Sequence, residues 1–129
     1  MKYLTTIFLL LIMNSAVAAS FEDCYKISES TLAQRCAYDK IEYIENVYKK
    51  ERMHFIENIN DIFDENSKEI KNYEEQANTK WLDFIEYQCK IEASAVADIN
   101  SYGYNIQYGS CVFNFYKERI EFFHKILNK

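Results

Sequence analysis

Apolar residues recur every three or four positions through most of the chain, which is the spacing of one buried face of an α-helix. The first such face begins near Thr31, where Thr31 and Gln34 form a capping-box pattern. The only break in this apolar face is at Arg52. Its members are Cys36 or Ala37, Ile41, Ile44, Tyr48, Phe55, Ile59 and Ile62. This pattern predicts one helix roughly 45 Å long, at about 1.5 Å per residue.

A second helix is predicted after a short polar turn. Residues 64–67 are Asp-Glu-Asn-Ser, whose side chains compete with the helical backbone for hydrogen bonds. Asn66 or Ser67 can cap the next helix, and Glu69 suits its first turn. Because the segment contains neither Gly nor Pro, a kinked continuous helix is the alternative. The second helix is predicted to run to about Asp98, and its apolar face comprises Ile70, Tyr73, Ala77, Trp81, Phe84, Ile85 and Ile91.

The clearest predicted loop is residues 99–110. It contains both glycines of the chain together with Tyr102, Tyr104 and Tyr108, and it lacks a helical stripe. Ser110 can cap a last helix, whose apolar positions are Val112, Phe113, Tyr116, Ile120, Phe123 and Leu127. Three helices joined by two turns predict an all-α fold, an antiparallel three-helix bundle.

The first residues are typical of a secretory signal peptide, 1–18, rather than of a fold element. Lys2 supplies a positive charge, residues 3–13 are almost wholly apolar, and residues 16–18 are Ala-Val-Ala. We expect cleavage after Ala18, with Ala19 as the alternative, which leaves one helical domain over residues 19–129. The apolar run is too short to span a bilayer and no second one follows, so we expect no membrane span. These features predict a periplasmic or secreted protein.

Four cysteines in a small exported chain predict two disulfides. Their intervals are much wider than the C-x-x-C pairs that usually bind zinc, so we favour disulfides over a metal site. Of the three possible pairings we favour Cys24 with Cys36 and Cys89 with Cys111, because each then closes a loop over a predicted turn. From the loss of loop entropy in the unfolded chain, each bond would add roughly 3 kcal/mol to the free energy of unfolding.

Charge and composition argue against a nucleic-acid binder and provide no catalytic motif. The chain has 15 Lys and Arg against 20 Asp and Glu, a formal net charge of −5, and loss of the leader with Lys2 makes this −6. A partner chosen by charge would therefore be cationic. The two histidines, His54 and His124, have no motif serine or thiol to activate. We expect neither an enzyme nor a bound cofactor or metal.

The residues around the last two cysteines have the spacing of a known family. Trp81 and Glu86 precede Cys89, and Cys111 is followed eight residues later by Arg119. The N-terminal half agrees at Asp23-Cys24, Thr31, Cys36-Ala37 and Val47-Tyr48. This pattern resembles the LprI-type lysozyme-inhibitor family of small secreted bacterial proteins. The chain departs from the family pattern in having Asn78 for Gln, Ile85 for Arg and Glu45 for Asn.

The resemblance implies a secreted or periplasmic binding protein that blocks lysozyme or another cationic cell-wall hydrolase by protein–protein contact. An envelope interaction or immunity module with a different protein partner, also non-enzymatic, fits the same features. We expect three residues, Trp81, Glu86 and Arg119, to have a structural role. If Cys89 pairs with Cys111, Trp81 and Arg119 lie level on adjacent helices, so that Arg119 can stack on the indole or pair with Glu86.

Two opposite ends of the predicted bundle are candidate partner-binding sites. The first, the acidic end, could steer a cationic enzyme and comprises Asp61, Asp64, Glu65 and Glu69, with Glu74 and Glu75 adding to its negative charge. The second is the tyrosine segment with Tyr102, Tyr104 and Tyr108, whose rings offer large contact area with few rotors to order. We predict that the tyrosines supply affinity and that the acidic end supplies association rate. The plain alternatives are a solvated helix surface and packing over the end of the bundle.

Overall fold

The computed structural model describes residues 20–129, and within that range the chain is helical with no β-strand. The helices are α1 (Glu22–Tyr25), α2 (Ser30–Phe63), α3 (Ser67–Val96) and α4 (Tyr102–Leu127), with a 3-10 turn at Asp64–Asn66. The three long helices form the predicted antiparallel bundle. No helix of the described part combines the length and apolar character needed to cross a bilayer. The predicted leader and its cleavage site lie outside the described residues.

Both predicted disulfides are confirmed. The Cys24–Cys36 bond joins α1 to α2, and the Cys89–Cys111 bond joins α3 to α4. In each bond the two Cα atoms are 5.5 Å apart, which is an ordinary cystine separation. The hydroxyl of Tyr25 also donates to the side-chain oxygen of Gln107, so α1 contacts α4 as well as α2. The N-terminal segment is therefore part of the folded domain.

Helix α4 is the central element of the packing. It packs extensively on both α2 and α3, whereas α2 and α3 contact each other much less. Most of its predicted apolar face is confirmed as core: Val112, Phe113, Tyr116, Ile120 and Phe123 are buried and Leu127 is half-buried. Since α2 and α3 both rest on α4 but approach each other less closely, an open groove runs between them with α4 as its floor.

The predicted face of α2 is confirmed over most of its length. Its buried residues are Ala33, Ala37, Ile44, Tyr48, Phe55 and Ile59, whereas Ile41 is half-buried and Ile62 is exposed. The predicted Thr31–Gln34 capping box is wrong. The Glu29 carboxylate caps the helix instead, accepting the backbone N–H groups of Thr31 and Leu32. These bonds, that from Leu32 first, lower the pKa of Glu29 because they favour its charged form.

The turn between α2 and α3 is confirmed, but the predicted face of α3 is partly wrong. Asp64 has φ 46°, in the left-handed region, and the chain reverses there; the Asn66 side chain makes no capping bond. The residues that α3 buries are Glu74, Ile85, Cys89 and Ala93, with Ile70 and Trp81 half-buried. Tyr73, Ala77, Phe84 and Ile91 are exposed. The disulfide at Cys89 and the ion pair at Glu74 fix which side of α3 faces the core. The spacing of apolar residues does not reveal either interaction.

The predicted loop at residues 99–110 is wrong, since the connection is only residues 97–101. Ser101, rather than Ser110, is the N-cap, and its hydroxyl accepts the Tyr104 N–H at 3.1 Å. Neither glycine has a positive φ. A Cβ on buried Gly109 would lie 3.0 Å from Ile41 Cδ1 and 3.1 Å from Phe21 Cζ. Gly109 therefore permits close packing of α4 on its neighbours and does not break the helix.

Candidate partner-binding site

The groove between α2 and α3 is bordered by one row of side chains from each helix. The α2 row contains Gln34, Tyr38, Ile41, Glu45, Lys49 and Arg52, at three- and four-residue steps. The α3 row contains every fourth residue, namely Glu74, Asn78, Leu82, Glu86 and Lys90. Mixed steps of three and four keep the α2 row on one side of its helix, whereas steps of four turn the α3 row by about 40° each, so that it winds gradually around α3. The floor is formed by tyrosines of α4, so three helices contribute to one continuous surface.

A cavity of about 290 Å³ occupies the end of the groove near the disulfides; we name it the tyrosine cavity. Its lining residues are Gln34, Ala37, Tyr38, Ile41, Lys90, Tyr104, Asn105 and Tyr108. The Tyr104 and Tyr108 rings lie one helical turn apart, with centroids 6.5 Å apart and planes 10° apart. Two of the three candidate tyrosines thus share a cavity, although on a helix rather than on the predicted loop. Tyr102 is 48% exposed and is not part of the lining.

Carboxylates from both sides of the groove approach the tyrosine hydroxyls on its floor. Burial, then the nearby Glu86 carboxylate, raises the pKa of Tyr108, and Glu45 adds to this while Lys90 opposes it. Burial likewise raises the pKa of Tyr116 well above its ordinary value, with the Glu45 carboxylate contributing charge and a hydrogen bond. Glu45 from α2 and Glu86 from α3 therefore place negative charge beside the cavity.

Lys90 is the cation at the tyrosine cavity. Its Nζ lies 2.5 Å from Oε1 of Glu86, one turn earlier on α3, and 5.4 Å from the ring centroid of Tyr87. The hydrogen bond to Glu86 raises the pKa of Lys90, so the group is ammonium throughout the physiological range. Lys90 and Glu86 neutralise each other, and Glu45 remains as the additional carboxylate.

A second cavity of about 260 Å³ lies farther along the same groove. Its lining residues are Tyr48, Lys49, Arg52, Met53, Asn78, Leu82 and Tyr116. Arg52 binds Glu74 across the groove through two bonds of 2.8 Å, from Nε and Nη2. The Glu74 side chain is 5% exposed, so this is a largely buried ion pair. The sequence holds two signals of this pair. Arg52 interrupts the α2 stripe, and Glu74 is a charged residue at a core position of α3, seven residues before Trp81 and eleven before Ile85.

Trp81, Glu86 and Arg119 were predicted as structural residues. Arg119 Cζ lies 5.8 Å from the Trp81 ring centroid, as predicted, and 4.8 Å and 5.3 Å from those of Phe122 and Phe123. Glu86 pairs with Lys90 rather than with Arg119. The Trp81 ring also packs against Tyr48 and Tyr116. Arg119 is thus held among aromatic rings, and its buried Nε has no hydrogen-bond partner.

The acidic end lies far from the tyrosine cavity. Asp61, Asp64, Glu65 and Glu69 are all exposed around the 3-10 turn. The prediction is wrong for Glu74, which is buried and bound to Arg52. Glu65 and Glu69 border an open depression of about 460 Å³ with Asn66, Lys68 and Asn72. From Lys68 to Lys90 the distance along α3 is roughly 33 Å at 1.5 Å per residue. The two candidate sites are therefore separate surfaces that one partner would have to span.

The described residues include no arrangement of three His, Cys, Asp or Glu side chains suited to a metal ion. All four cysteines are in disulfides. His124 Nε2 lies 2.8 Å from Oε2 of Glu51 on α2, and His54 is exposed, with its backbone carbonyl accepting the Asn58 side chain. The groove in this part of the chain combines aromatic rings, amides and paired charges around two cavities.

The resemblance to the LprI-type family rests on residue identities and spacings within this chain. Those residues have structural roles here, since the cysteines form both disulfides and Trp81 packs with Arg119. Compared with known proteins, the chain matches no family model, no curated protein and no solved structure.

Proposed function

We propose that the protein is an exported, non-enzymatic binding domain that blocks a cationic cell-wall hydrolase, in the manner the LprI-type resemblance implies. The observation that carries this proposal is the tyrosine cavity, whose walls come from α2, α3 and α4. Tyrosine supplies contact area and a hydroxyl with few rotatable bonds, which suits recognition of another protein.

Rigidity of the cavity supports the proposal. The Cys89–Cys111 bond joins the two helices that contribute Lys90 and Tyr108, and the Cys24–Cys36 bond fixes α1 close to the start of α2. A preformed site loses less conformational entropy when it binds, because its side chains are already ordered. The disulfides are also typical of proteins that act outside the reducing cytosol.

Net charge supports a cationic partner. The full chain has a formal net charge of −5, and the acidic end presents exposed carboxylates at one tip of the bundle. An acidic surface raises the rate at which a basic protein arrives, while buried aromatic contacts determine how slowly it leaves. The two surfaces can therefore act on different steps of one association.

The experiment uses oxidised protein without the predicted leader, titrated into basic lysozymes and other basic cell-wall hydrolases. We expect stoichiometric loss of lytic activity and calorimetric binding with a Kd below about 1 µM. Replacing Tyr104 and Tyr108 together by Ser should weaken binding at least about tenfold. The matched control is Tyr73→Ser, which removes an exposed tyrosine at the other end of α3.

Thermal unfolding of each variant shows whether the fold survives the substitutions. Folded protein that binds none of the hydrolases would refute the proposed target. In that case capture from envelope extract would identify the different partner of the immunity alternative. Equal weakening by Tyr73→Ser and by the double variant would show that the tyrosine cavity is not the site.

A further inference from the structure

Two of the three guanidinium groups in the described chain lie in sites formed by other side chains, and the third, that of Arg35, is exposed on α2. Arg52 is bound through two hydrogen bonds by the carboxylate of Glu74, in the groove beside Tyr48. Arg119 lies against the faces of Trp81 and two phenylalanines, without a hydrogen bond at its Nε. A carboxylate and an aromatic face are the two groups that attract a planar, delocalised cation.

The lining of the tyrosine cavity includes aromatic faces but neither a carboxylate nor a guanidinium. Its rings are those of Tyr38, Tyr104 and Tyr108, and the amides of Gln34 and Asn105 add hydrogen-bonding groups. On α2 the carboxylate of Glu45 lies one helical turn beyond the lining residue Ile41, on the same side of the helix. The Glu45 carboxylate lies close enough to Tyr108 and Tyr116 to affect both hydroxyls. None of the four ion pairs among the described residues includes Glu45.

The charges around the cavity leave room for one more cation. Glu45 of α2 and Glu86 of α3 both lie close enough to Tyr108 to raise its pKa, and Lys90 is already bonded to Glu86. The next cation along α2 is Lys49, which is exposed, lines the second cavity and lies one turn beyond Glu45. A volume of about 290 Å³ is at the small end of the range for ligand sites, which suits a single side chain rather than a larger molecule.

We propose that the tyrosine cavity binds an arginine side chain of the partner, whose guanidinium stacks on a tyrosine ring and donates to the Glu45 carboxylate. Arginine fits better than lysine because its flat fork of donors can stack and reach a carboxylate at once, and because it is more weakly hydrated than an ammonium. Its alkyl stem would contact Ala37 and Ile41. The identity of the partner rests on the proposed function, whereas guanidinium recognition can be tested without any partner.

The direct test titrates ¹⁵N-labelled, oxidised protein with three capped amino acids, and follows backbone amide shifts. The probes are N-acetyl-arginine methylamide, its neutral near-isostere N-acetyl-citrulline methylamide, and N-acetyl-lysine methylamide. We expect saturable shifts at Tyr104, Asn105 and Tyr108 with arginine, and affinity at least about tenfold lower for citrulline, because the charge-assisted bond is lost. Equal affinity for citrulline, or shifts confined to the acidic end, would overturn the proposal.

A pair of charge variants on α2 locates the contact. Glu45→Gln should weaken arginine binding about tenfold, because the guanidinium loses its charged acceptor. Asp39→Asn also removes one negative charge, from an exposed position about 120° around the helix from Glu45, and should leave binding unchanged. Equal weakening of arginine binding by the two variants would show that only overall charge matters, and it would refute a specific contact with Glu45. Tyr38→Ser is a further variant that spares the core, since Tyr38 is 64% exposed, and it should also weaken binding.

The outcomes separate this inference from the proposed function. Binding of the arginine probe by protein that inhibits no hydrolase supports the cavity's specificity and rejects the proposed target. Inhibition of a hydrolase with unchanged potency in Glu45→Gln, together with no arginine-probe binding, supports the function and rejects the cavity as its arginine site.

Discussion

At the end of the bundle that contains the tyrosine cavity, two disulfides cross-link α1 to α2 and α3 to α4. At the acidic end, by contrast, neither of these disulfides is present, and the chain passes from α2 to α3 through the 3-10 turn. The nearest polar cross-link there, the Arg52–Glu74 pair, lies roughly 16 Å from the turn along α2. The two ends therefore differ in construction: disulfides hold the helices that line the tyrosine cavity, whereas exposed carboxylates surround the turn at the other end. Under the proposed function, the first end supplies the fitted contact and the second the long-range attraction.

Loss of a disulfide should have the largest effect on stability. The effect should be concentrated at the end of the bundle that contains the tyrosine cavity. Replacing Cys89 and Cys111 together by Ala is expected to lower the free energy of unfolding by about 3 kcal/mol, because the bond no longer restricts the unfolded chain. Circular dichroism should show a lower Tm with helicity retained at 25 °C. Hydrogen exchange should accelerate around Tyr104 and Tyr108 more than around Asp61 and Glu69. Loss of all helical signal would show that the core is weaker than its packing implies.

Breaking the Arg52–Glu74 pair should be the next largest effect. Glu74→Ala leaves a partly buried guanidinium without its carboxylate, and we expect a loss of about 2 kcal/mol in urea denaturation. The double variant Arg52→Met with Glu74→Leu should lose less, since neither charge is then left unpaired. Glu75→Ala, at an exposed neighbouring position, is the control. A double variant less stable than Glu74→Ala would show that the pair stabilises the fold beyond mutual neutralisation.

Alkaline pH should weaken the groove through its buried tyrosines. Burial raises the pKa of Tyr48, Tyr108 and Tyr116 above the ordinary value near 10. The unfolded chain therefore releases these protons at lower pH than the folded chain does, so their contribution to stability is full below about pH 10 and is lost as pH rises above it. Urea midpoints between pH 8 and pH 11.5 test this. Tyr116→Phe should flatten the decline, and an unchanged slope would contradict the assignment.

The sequence predicts the fold better than the groove, for identifiable reasons. Apolar spacing locates most of the α2 and α4 faces, and the four cysteines together with the predicted turns favour the disulfide pairing that the structure has. The sequence prediction misplaces the start of α4 because it takes Gly109 as a loop residue. In the structure Gly109 permits close packing with Phe21 and Ile41, which are distant in sequence. The prediction misorients α3 because Glu74 is buried only by virtue of Arg52. The tyrosine cavity combines residues from three helices, so no local pattern reveals it.

The acidic end should show the smallest effect, on association rate alone. The triple variant Asp61→Asn, Glu65→Gln and Glu69→Gln removes exposed charges roughly 33 Å from the cavity, so no bound contact at the cavity is lost. With a basic partner at low salt, we expect the association rate constant to fall about threefold, while the dissociation rate constant is unchanged.

Salt dependence and a charge-matched control distinguish steering from contact. The triple variant Asp39→Asn, Asp83→Asn and Glu118→Gln removes the same number of exposed charges from other parts of the bundle. If the acidic end steers the partner, the control variant slows association less than the acidic-end variant does. Near 0.5 M salt both variants should associate as fast as the unsubstituted protein, because the screening length is then shorter than at physiological ionic strength. A faster dissociation in the acidic-end variant alone would instead place that end in the bound interface, and the two ends would then form one extended site along α3.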